Sequence, residues 1–321
     1  MLRLATRGSP LAMAQVERVA GLLGTIGVPT SIVVVETGGD RRTDVPLDRL
    51  GGQGVFVKEV QAAVVRGDAD AAVHSAKDLP AASGLAVPDL VLAAFPERVD
   101  TRDLLVGGRL TALSTGATVA TGSARRRAQL ANFRPDLTFV GLRGNMASRL
   151  AVAGTGSVAA VVVAKAAVDR LGWTPPVGLE TEVLEPRIML PQVGQGALAV
   201  ECRADDVPTR AALAAIDDPE AGPPVVAERA FLAELGGGCT LPVGANARWA
   251  RPGTGSGPVT DHADLTLTGM LASGDGTVLL RHELTGDEPD ELGRSVARFL
   301  LDDAGGRDLG EWPTFPAGAE W

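Results

Sequence analysis

Residues 2–17 read LRLATRGSPLAMAQVE, and residues 118–133 read TVATGSARRRAQLANF. Both stretches begin with a short apolar run typical of a strand, continue through Ala-Thr and Gly-Ser, and then take the spacing of a helix. Ser9 and Ser123 stand where helix N-caps are expected, and Pro10 suits the first helical position. The chain therefore contains the same strand–turn–helix unit twice.

Two further pairs of segments repeat in the same order. IVVVETGGD (32–40) corresponds to LTFVGLRGN (137–145), and ADAAVHSAKDL (69–79) corresponds to SVAAVVVAKAAVDRL (157–171). Three matches in one order indicate two related α/β lobes, and strands that alternate with helices predict mostly parallel sheets. The β-branched run TSIVVVET (30–37) predicts a buried parallel strand.

The rest of the chain predicts how the lobes are completed. LPQVGQGALAVECR (190–203) reads as a strand that crosses back to finish the first sheet. From about residue 215, a helix, a hairpin around Gly-Asp-Gly and an amphipathic helix predict a small α+β domain. We therefore expect a first lobe of 1–94 plus 191–213, a second lobe of 95–190, and a C-terminal domain of 214–321.

Composition narrows the class of protein. With 321 residues, 45% of them hydrophobic, the chain can form two or three packed domains. No apolar run is long enough to span a membrane and the N-terminus lacks a signal-peptide pattern, which predicts a cytoplasmic protein. The net charge of −9 and the 3% aromatic content argue against nucleic-acid binding. Two cysteines without Cys/His ligand spacing predict no disulfide framework and no metal site.

Polar and basic residues gather where strands of both lobes end. A guanidinium suits a carboxylate because it binds both oxygens, and helix N-termini also favour anions. The three arginines at 125–127 oppose the helix dipole, so we expect an anionic ligand that offsets their repulsion; a solvated basic face is the alternative. On this view, removing Arg125 or Arg126 leaves stability unchanged or slightly raised. The candidates are Thr6, Arg7, Ser9, Thr121, Ser123, Arg125, Arg126, Arg143, Arg149 and Arg170.

The pentapeptide HSAKD (74–78) closes another strand. Lys77 and Asp78 would lie at a cleft between the lobes, where a carboxylate could transfer a proton and stabilise a developing cation. A loop ion pair is the alternative. We expect His74 to be structural because its side chain points into the sheet, and Cys202 to be inert in an apolar strand.

LGGGCTLPVG (235–244) places Cys239 after three glycines and before Pro242. A reactive cysteine needs access, whereas a structural one usually lies in apolar surroundings. A cysteine hydrolase is one alternative, but it would need a histidine partner, and neither His262 nor His282 has a recognisable context.

Over essentially its whole length the sequence resembles the hydroxymethylbilane synthase family, also called porphobilinogen deaminases. The motifs that carry the resemblance are ATRGSPLA, GGQGVFVKE, AVHSAKDLP, GSARRRAQL, RPDLTFVGLRGN, LPQVGQGALAVECR and GGGCTLPVGA. The resemblance implies two periplasmic-binding-protein-like lobes and a transferase of porphyrin and heme biosynthesis. It implies that four porphobilinogen molecules are joined head to tail with loss of ammonia, that water frees the linear tetrapyrrole, and that the enzyme is a monomer.

The resemblance also implies residue roles. Cys239 would carry a dipyrromethane cofactor through a thioether, and Asp78 would protonate the leaving amine and stabilise the cationic azafulvene-like intermediate. Gln53 stands where the family's lid loop often has lysine, and Arg49 represents a second loop lysine. The cofactor-binding residues would be Ser75, Lys77, Ser123, Arg125, Arg126 and Arg149, and the substrate-binding residues Arg7, Ser9, Arg143 and Arg170.

A non-catalytic two-lobed module that binds anionic ligands is the alternative to an enzyme. Such a module explains the repeated lobes and the arginines. It does not explain the third domain or the cysteine that the glycines flank.

Overall fold

The computed structural model describes residues 1–36, 57–81, 87–236, 242–250 and 264–309. These ranges form two five-stranded sheets and one three-stranded sheet, with helices packed against each. The helices are α1 (Pro10–Thr25), α2 (Lys58–Val65), α3 (Ala124–Phe133), α4 (Met146–Ala153), α5 (Lys165–Arg170), α6 (Val207–Ala214), α7 (Gly222–Glu234) and α8 (Pro289–Arg298).

The first sheet has the strand order β2-β1-β3-β10-β4. β1 is parallel to β2 and β3, whereas β10 is antiparallel to β3 and β4, so four of the five strands point the same way. The segment predicted to return from the second lobe supplies β10. The strands are β1 (Leu2–Arg7), β2 (Thr30–Val35), β3 (Ala71–Ser75), β4 (Leu90–Ala94) and β10 (Leu198–Arg203).

The second sheet repeats this plan in the order β7-β6-β8-β5-β9. Here β5 is the reversed strand, antiparallel to β8 and β9, while β6 is parallel to β7 and β8. The α/β fold with two parallel-rich lobes is thus confirmed. The strands are β5 (Asp103–Val106), β6 (Thr118–Ala120), β7 (Thr138–Val140), β8 (Ala160–Ala164) and β9 (Thr181–Leu184).

The first helices of the two lobes begin in the same way. Ser9 Oγ accepts a hydrogen bond from the Ala12 N–H at 3.3 Å, and Ser123 Oγ accepts one from the Arg126 N–H at 3.4 Å. Each serine satisfies an N–H that has no partner within the helix. The repeated Gly-Ser of the sequence is therefore a repeated helix cap.

The sequence correctly predicted a parallel strand within 30–37, but the prediction that this strand is buried was wrong. Among the described strands, β2 lies at the edge of its sheet, and Ile32 and Val34 are 37% and 54% exposed. A β-branched run reports the preference for a pleated strand, which an edge position satisfies as well as a central one.

The C-terminal domain is an antiparallel sheet, β11-β12-β13, covered by α7 and α8. Phe231, Leu267 and Val296 lie in its core. The hairpin predicted around Gly-Asp-Gly is present, with Gly276 at φ +80°, a conformation that glycine adopts without strain. The strands are β11 (Val243–Trp249), β12 (Leu265–Ala272) and β13 (Leu279–Gly286).

The C-terminal domain contacts both lobes. The start of α7 packs into a cluster with residues of the first lobe, including Ala76 and Ala199. The hairpin turn lies on α3 of the second lobe, where Asn132 Nδ2 donates to the Gly276 carbonyl oxygen at 3.0 Å. No helix in the described part of the chain is both long and apolar enough to cross a membrane.

Candidate active site

A pocket lies between the two lobes, where the carboxyl ends of β1, β3 and β8 approach each other. It encloses about 440 Å³, including open space at its mouth. Ligands of open α/β sheets commonly bind at such an edge. The pocket brings together six residues of the predicted site, namely Arg7, Ser9, Ser75, Lys77, Asp78 and Arg170, and adds Gln195 and Gly196 from the returning segment.

Lys77 and Asp78 lie in a one-turn 3₁₀ helix that directly follows β3. The returning segment passes over this turn at Gly194, whose φ is +70°. A Cβ at Gly194 would come within 3.0 Å of the Lys77 backbone nitrogen, so only glycine fits. The backbone that carries the candidate acid is therefore fixed by close packing.

Lys77 is partly buried beside several charged groups. Burial lowers the pKa of Lys77 to about 8, although the Asp78 carboxylate favours the charged form, and Arg126 adds to the lowering. An anionic ligand would stabilise the charged form of such a poorly solvated cation.

Arg125 and Arg126 lie in the first turn of α3, and they are only 3% and 8% exposed. Arg125 Nη2 donates to Asp103 Oδ2 at 2.8 Å, and Arg126 Nη2 donates to Asp103 Oδ1 at 2.7 Å. Burial raises the pKa of Asp103 on its own, but the two guanidinium groups outweigh it and hold the pKa well below the usual range. A solvated basic face is excluded at Arg125 and Arg126, whereas Arg127 is exposed.

The ion pairs with Asp103 contradict the basis of our expectation about the stability of Arg125 and Arg126 variants. The sequence led us to expect that removing Arg125 or Arg126 would leave the fold unchanged, because their charges oppose the helix dipole. Each arginine is instead half of a buried ion pair, so its removal leaves a carboxylate with a weakened set of partners in the core. The sequence does contain one sign of this ion pair, because Asp103 is a charged residue at the start of the apolar run DLLV.

Ser123, Arg143 and Arg149 lie on the second lobe near these arginines. Ser123 caps α3, and Arg149 lies within α4 with its Nε donating to the Gly144 carbonyl oxygen at 2.9 Å. Burial lowers the pKa of Arg149, with Arg126 and Arg143 adding to it while Asp78 opposes it. Arg143 is exposed just before α4. Arg149 therefore connects the cation cluster electrostatically to Asp78.

Arg170 extends from α5 into the pocket wall. Its Nη2 donates to the Gly196 carbonyl oxygen at 2.8 Å and to Glu97 Oε1 at 3.3 Å. Glu97 also pairs with Arg18 of α1 at 2.7 Å. Glu97, which sequence reasoning missed, thereby connects helices of both lobes.

Three residues of the predicted site lie outside the described residues. They are Cys239, the predicted attachment point, and the lid residues Arg49 and Gln53. The described chain resumes after Cys239 at Pro242, and two residues later Gly244 lies against Arg125: a Cβ there would be 3.2 Å from Arg125 Cδ.

His74 and Cys202 have structural surroundings. His74 Nε2 lies 3.1 Å from Glu201 Oε2 on the neighbouring strand, and Gln61 Nε2 donates to the same oxygen at 2.9 Å. Cys202 is fully buried in the core of the first lobe, and burial raises the pKa of its thiol. In the described ranges no group of three or more His, Cys, Asp or Glu side chains could hold a metal ion.

The donors at this site fit a ligand that carries several carboxylates. Arg125 Nε is buried and has no acceptor among the described residues, and a ligand oxygen would supply one. Lys77 and Arg149 add two cations whose burial disfavours their charge. A dipyrromethane group, which has carboxylate side chains, matches this donor set.

Comparison with known proteins agrees with the geometry. The family model described as porphobilinogen deaminase, dipyromethane cofactor binding domain, matches residues 2–211, and the porphobilinogen deaminase C-terminal domain matches residues 224–302. The porphobilinogen deaminase of Acidothermus cellulolyticus is 45% identical over 310 residues, covering 94% of this chain and 88% of that protein. That of Nocardia farcinica is 46% identical over 313 residues, covering 96% and 87%.

A more distant relative and one solved structure are also similar. The porphobilinogen deaminase of Bacillus subtilis is 38% identical over 314 residues, covering 96% of this chain and 95% of that protein. A nutrient-binding protein from Burkholderia cenocepacia bound to methionine is 13% identical with a TM-score of 0.41, covering 73% of this chain and 95% of that chain.

Fold and site together define a two-lobed α/β enzyme with basic residues at the cleft between its lobes and a third, C-terminal domain. The chain belongs to the porphobilinogen deaminase family. Enzymes of this family are hydroxymethylbilane synthases, which are transferases with a dipyrromethane cofactor, and the resemblance recognised in the sequence is confirmed. A binding module without catalysis is not favoured.

Proposed function

We propose that this chain joins four porphobilinogen molecules head to tail in the cleft between its lobes, releases one ammonia at each step and frees the linear tetrapyrrole with water. The observation that carries the proposal is one carboxyl group, Asp78, at a pocket whose neighbouring groups are mostly cations. Such a site holds an anionic chain and still offers one acid–base group to the reacting carbon.

Asp78 is the proposed catalytic residue. It protonates the departing amine of porphobilinogen, and the carboxylate that remains stabilises the positive charge left on the substrate. The packing of Gly194 on the turn that carries Asp78 supports this role, because acid–base transfer needs a fixed donor.

The cations are proposed to hold carboxylates. Lys77, Arg125, Arg126 and Arg149, with the hydroxyl groups of Ser75 and Ser123, bind those of the cofactor. Arg7, Ser9, Arg143 and Arg170 bind those of incoming substrate and of the growing chain, and the loop that contains Arg49 and Gln53 closes over them. Arginine suits this work because its fork binds both oxygens of a carboxylate.

Cys239 is the proposed attachment site. The dipyrromethane group, when bound there through a thioether, supplies the pyrrole end to which the first substrate is joined. Gly244 packs on Arg125, and the five backbone steps from Cys239 to Gly244 can span at most about 18 Å. A connection of this length supports the proposal that a group attached at Cys239 reaches the cation cluster.

The remaining parts of the proposal concern the molecule as a whole. We place the domain boundaries at 1–94 plus 191–213, 95–190 and 214–321, and we propose a cytoplasmic monomer without a nucleic-acid partner. Sedimentation of the loaded enzyme would test the monomer.

Product stoichiometry tests the function. Incubation with porphobilinogen should release four molecules of ammonia for each linear tetrapyrrole freed. Saturable binding of porphobilinogen without release of ammonia would instead support the binding module.

A further inference from the structure

Asp103, the first residue of β5, is fully buried. It lies opposite the last residue of β8, at the end of the sheet where α3 begins. It accepts hydrogen bonds from Arg125, Arg126 and Gln195, the last through Nε2 at 3.0 Å from Oδ1. We infer that Asp103 is a positioning residue, a built-in counterion that keeps Arg125 and Arg126 in place before any anionic ligand has bound. The inference rests on the proposed role of these arginines in holding cofactor carboxylates.

The empty site needs such a counterion. Two adjacent guanidinium groups lie buried at a helix N-terminus, where the dipole disfavours cations. Buried charges without partners are strongly destabilising. A covalent cofactor is attached only after the chain has been made, and Asp103 pairs with both arginines without any cofactor carboxylate.

Asp103 fixes the two side chains without using up the site. Arg126 donates from Nε and Nη2 to Asp103, and from Nη1 to the Val162 carbonyl oxygen at 3.0 Å. Arg125 uses Nη1 on the Leu190 carbonyl oxygen and Nη2 on Asp103, while its Nε has no acceptor in the described part of the chain. One carboxylate against two guanidinium groups leaves a net positive charge for a ligand. Because the side chains are already ordered, binding does not have to order them.

Asp103 also connects α3 to the returning segment. Gln195 Nε2 donates both to Asp103 and to the Thr101 carbonyl oxygen, at 2.8 Å for the latter. Thr101 precedes β5 in the outgoing connection, and Gln195 lies in the return. The two arginines are therefore held relative to both connections between the lobes, and so relative to the turn that carries Asp78.

Stability of the empty and the loaded chain distinguishes a counterion from an ordinary structural ion pair. Wild type, Asp103→Asn and Glu228→Gln are each made without a supply of porphobilinogen, and a part of each is then loaded with porphobilinogen and checked by intact mass. Asp103→Asn should lower the midpoint of thermal unfolding more in the empty form than in the loaded form, because cofactor carboxylates then face the arginines. Glu228, also fully buried and paired with an arginine, is the matched control, and its variant should lower both midpoints equally. An equal loss for Asp103→Asn in both forms would overturn the inference.

A second measurement tests the inference even if Asp103→Asn does not fold or cannot be loaded with cofactor. Empty Asp103→Asn is refolded or heated in citrate, a polycarboxylate, and in sodium chloride of equal ionic strength. Citrate should restore folding or raise the midpoint more than it does for empty wild type and Glu228→Gln, whereas an identical gain in all three would contradict the inference. If wild type takes up no added mass from porphobilinogen, the cofactor proposal fails, and the citrate comparison still decides the role of Asp103.

Discussion

Arg98 Nη2 lies 2.7 Å from Glu228 Oε1 and 2.9 Å from Oε2, and the Glu228 carboxylate is fully buried. The same carboxylate accepts hydrogen bonds from the backbone N–H groups of Gly194 and Ala247, each at 2.8 Å. Arg98 lies in the connection that leaves the first lobe, and Gly194 lies in the one that returns. One side chain of the C-terminal domain thus holds both connections, and through Gly194 it supports the turn that carries Asp78.

Glu228→Gln should destabilise the protein by about 3–5 kcal/mol, because it leaves the Arg98 guanidinium buried without a charged partner. Denaturant unfolding measures the loss. Arg248→Gln is the control, since Arg248 and Glu283 form an exposed pair 3.4 Å apart, and such pairs contribute about 1 kcal/mol or less. An equal loss of unfolding free energy in the two variants would show that the buried Glu228 pair stabilises the protein no more than an exposed pair does.

The sequence was sufficient for features that repeat locally. The N-caps at Ser9 and Ser123 and the Gly-Asp-Gly hairpin depend on residues a few positions apart, so their patterns are visible in one dimension. Asp103 lies 22 residues from Arg125 and meets it only because β5 is inserted as the reversed strand of its sheet. The same limit applies to Glu97, which contacts Arg170 from 73 residues away.

The sequence also could not predict where in its sheet a strand lies. The run at β2 indicates a strand, but its neighbours decide whether that strand is central or at an edge, and β2 pairs with β1 alone among the described strands. Likewise, the charges at 125–127 predicted anion binding but could not reveal that two of these side chains are buried and the third is not.

Replacement of Asp78 should remove turnover and spare the fold, because the side chain is only partly buried at the pocket. Asp78→Ala should lower kcat by at least the roughly 10²–10⁴-fold that acid–base catalysis contributes, with loss of cation stabilisation added to it. Asp78→Glu should keep more activity than Asp78→Asn, since it retains a carboxyl group that can donate a proton and then carry a negative charge. Similar rates for Glu and Asn, from single-turnover kinetics on loaded enzyme, would contradict this role.

The pKa of Lys77, lowered by burial to about 8, predicts a pH dependence that belongs to this residue. Lys77 is protonated below that pH and loses its charge above it, so its attraction for a carboxylate falls as the pH rises through 8. The rate of cofactor loading should therefore decline on the alkaline side in wild type. Lys77→Arg keeps its charge throughout and should flatten that decline, while Lys77→Met should load slowly at every pH. Parallel profiles for wild type and Lys77→Arg would assign the decline to another group.

Cys239 should carry the primer in the purified enzyme, whereas Cys202 should not react, because Cys202 is fully buried in the core of the first lobe. An attachment site has to react only once and then needs reach, which glycines preceding the cysteine provide. Denatured protein should be heavier than the bare chain by two porphobilinogen units less two molecules of ammonia. Cys239→Ser should lose that added mass together with activity, and Cys202→Ser, the control, should keep both. Peptide mapping locates the added mass, and an unmodified mass in active enzyme, or an adduct on the peptide that contains Cys202, would overturn the assignment of Cys239.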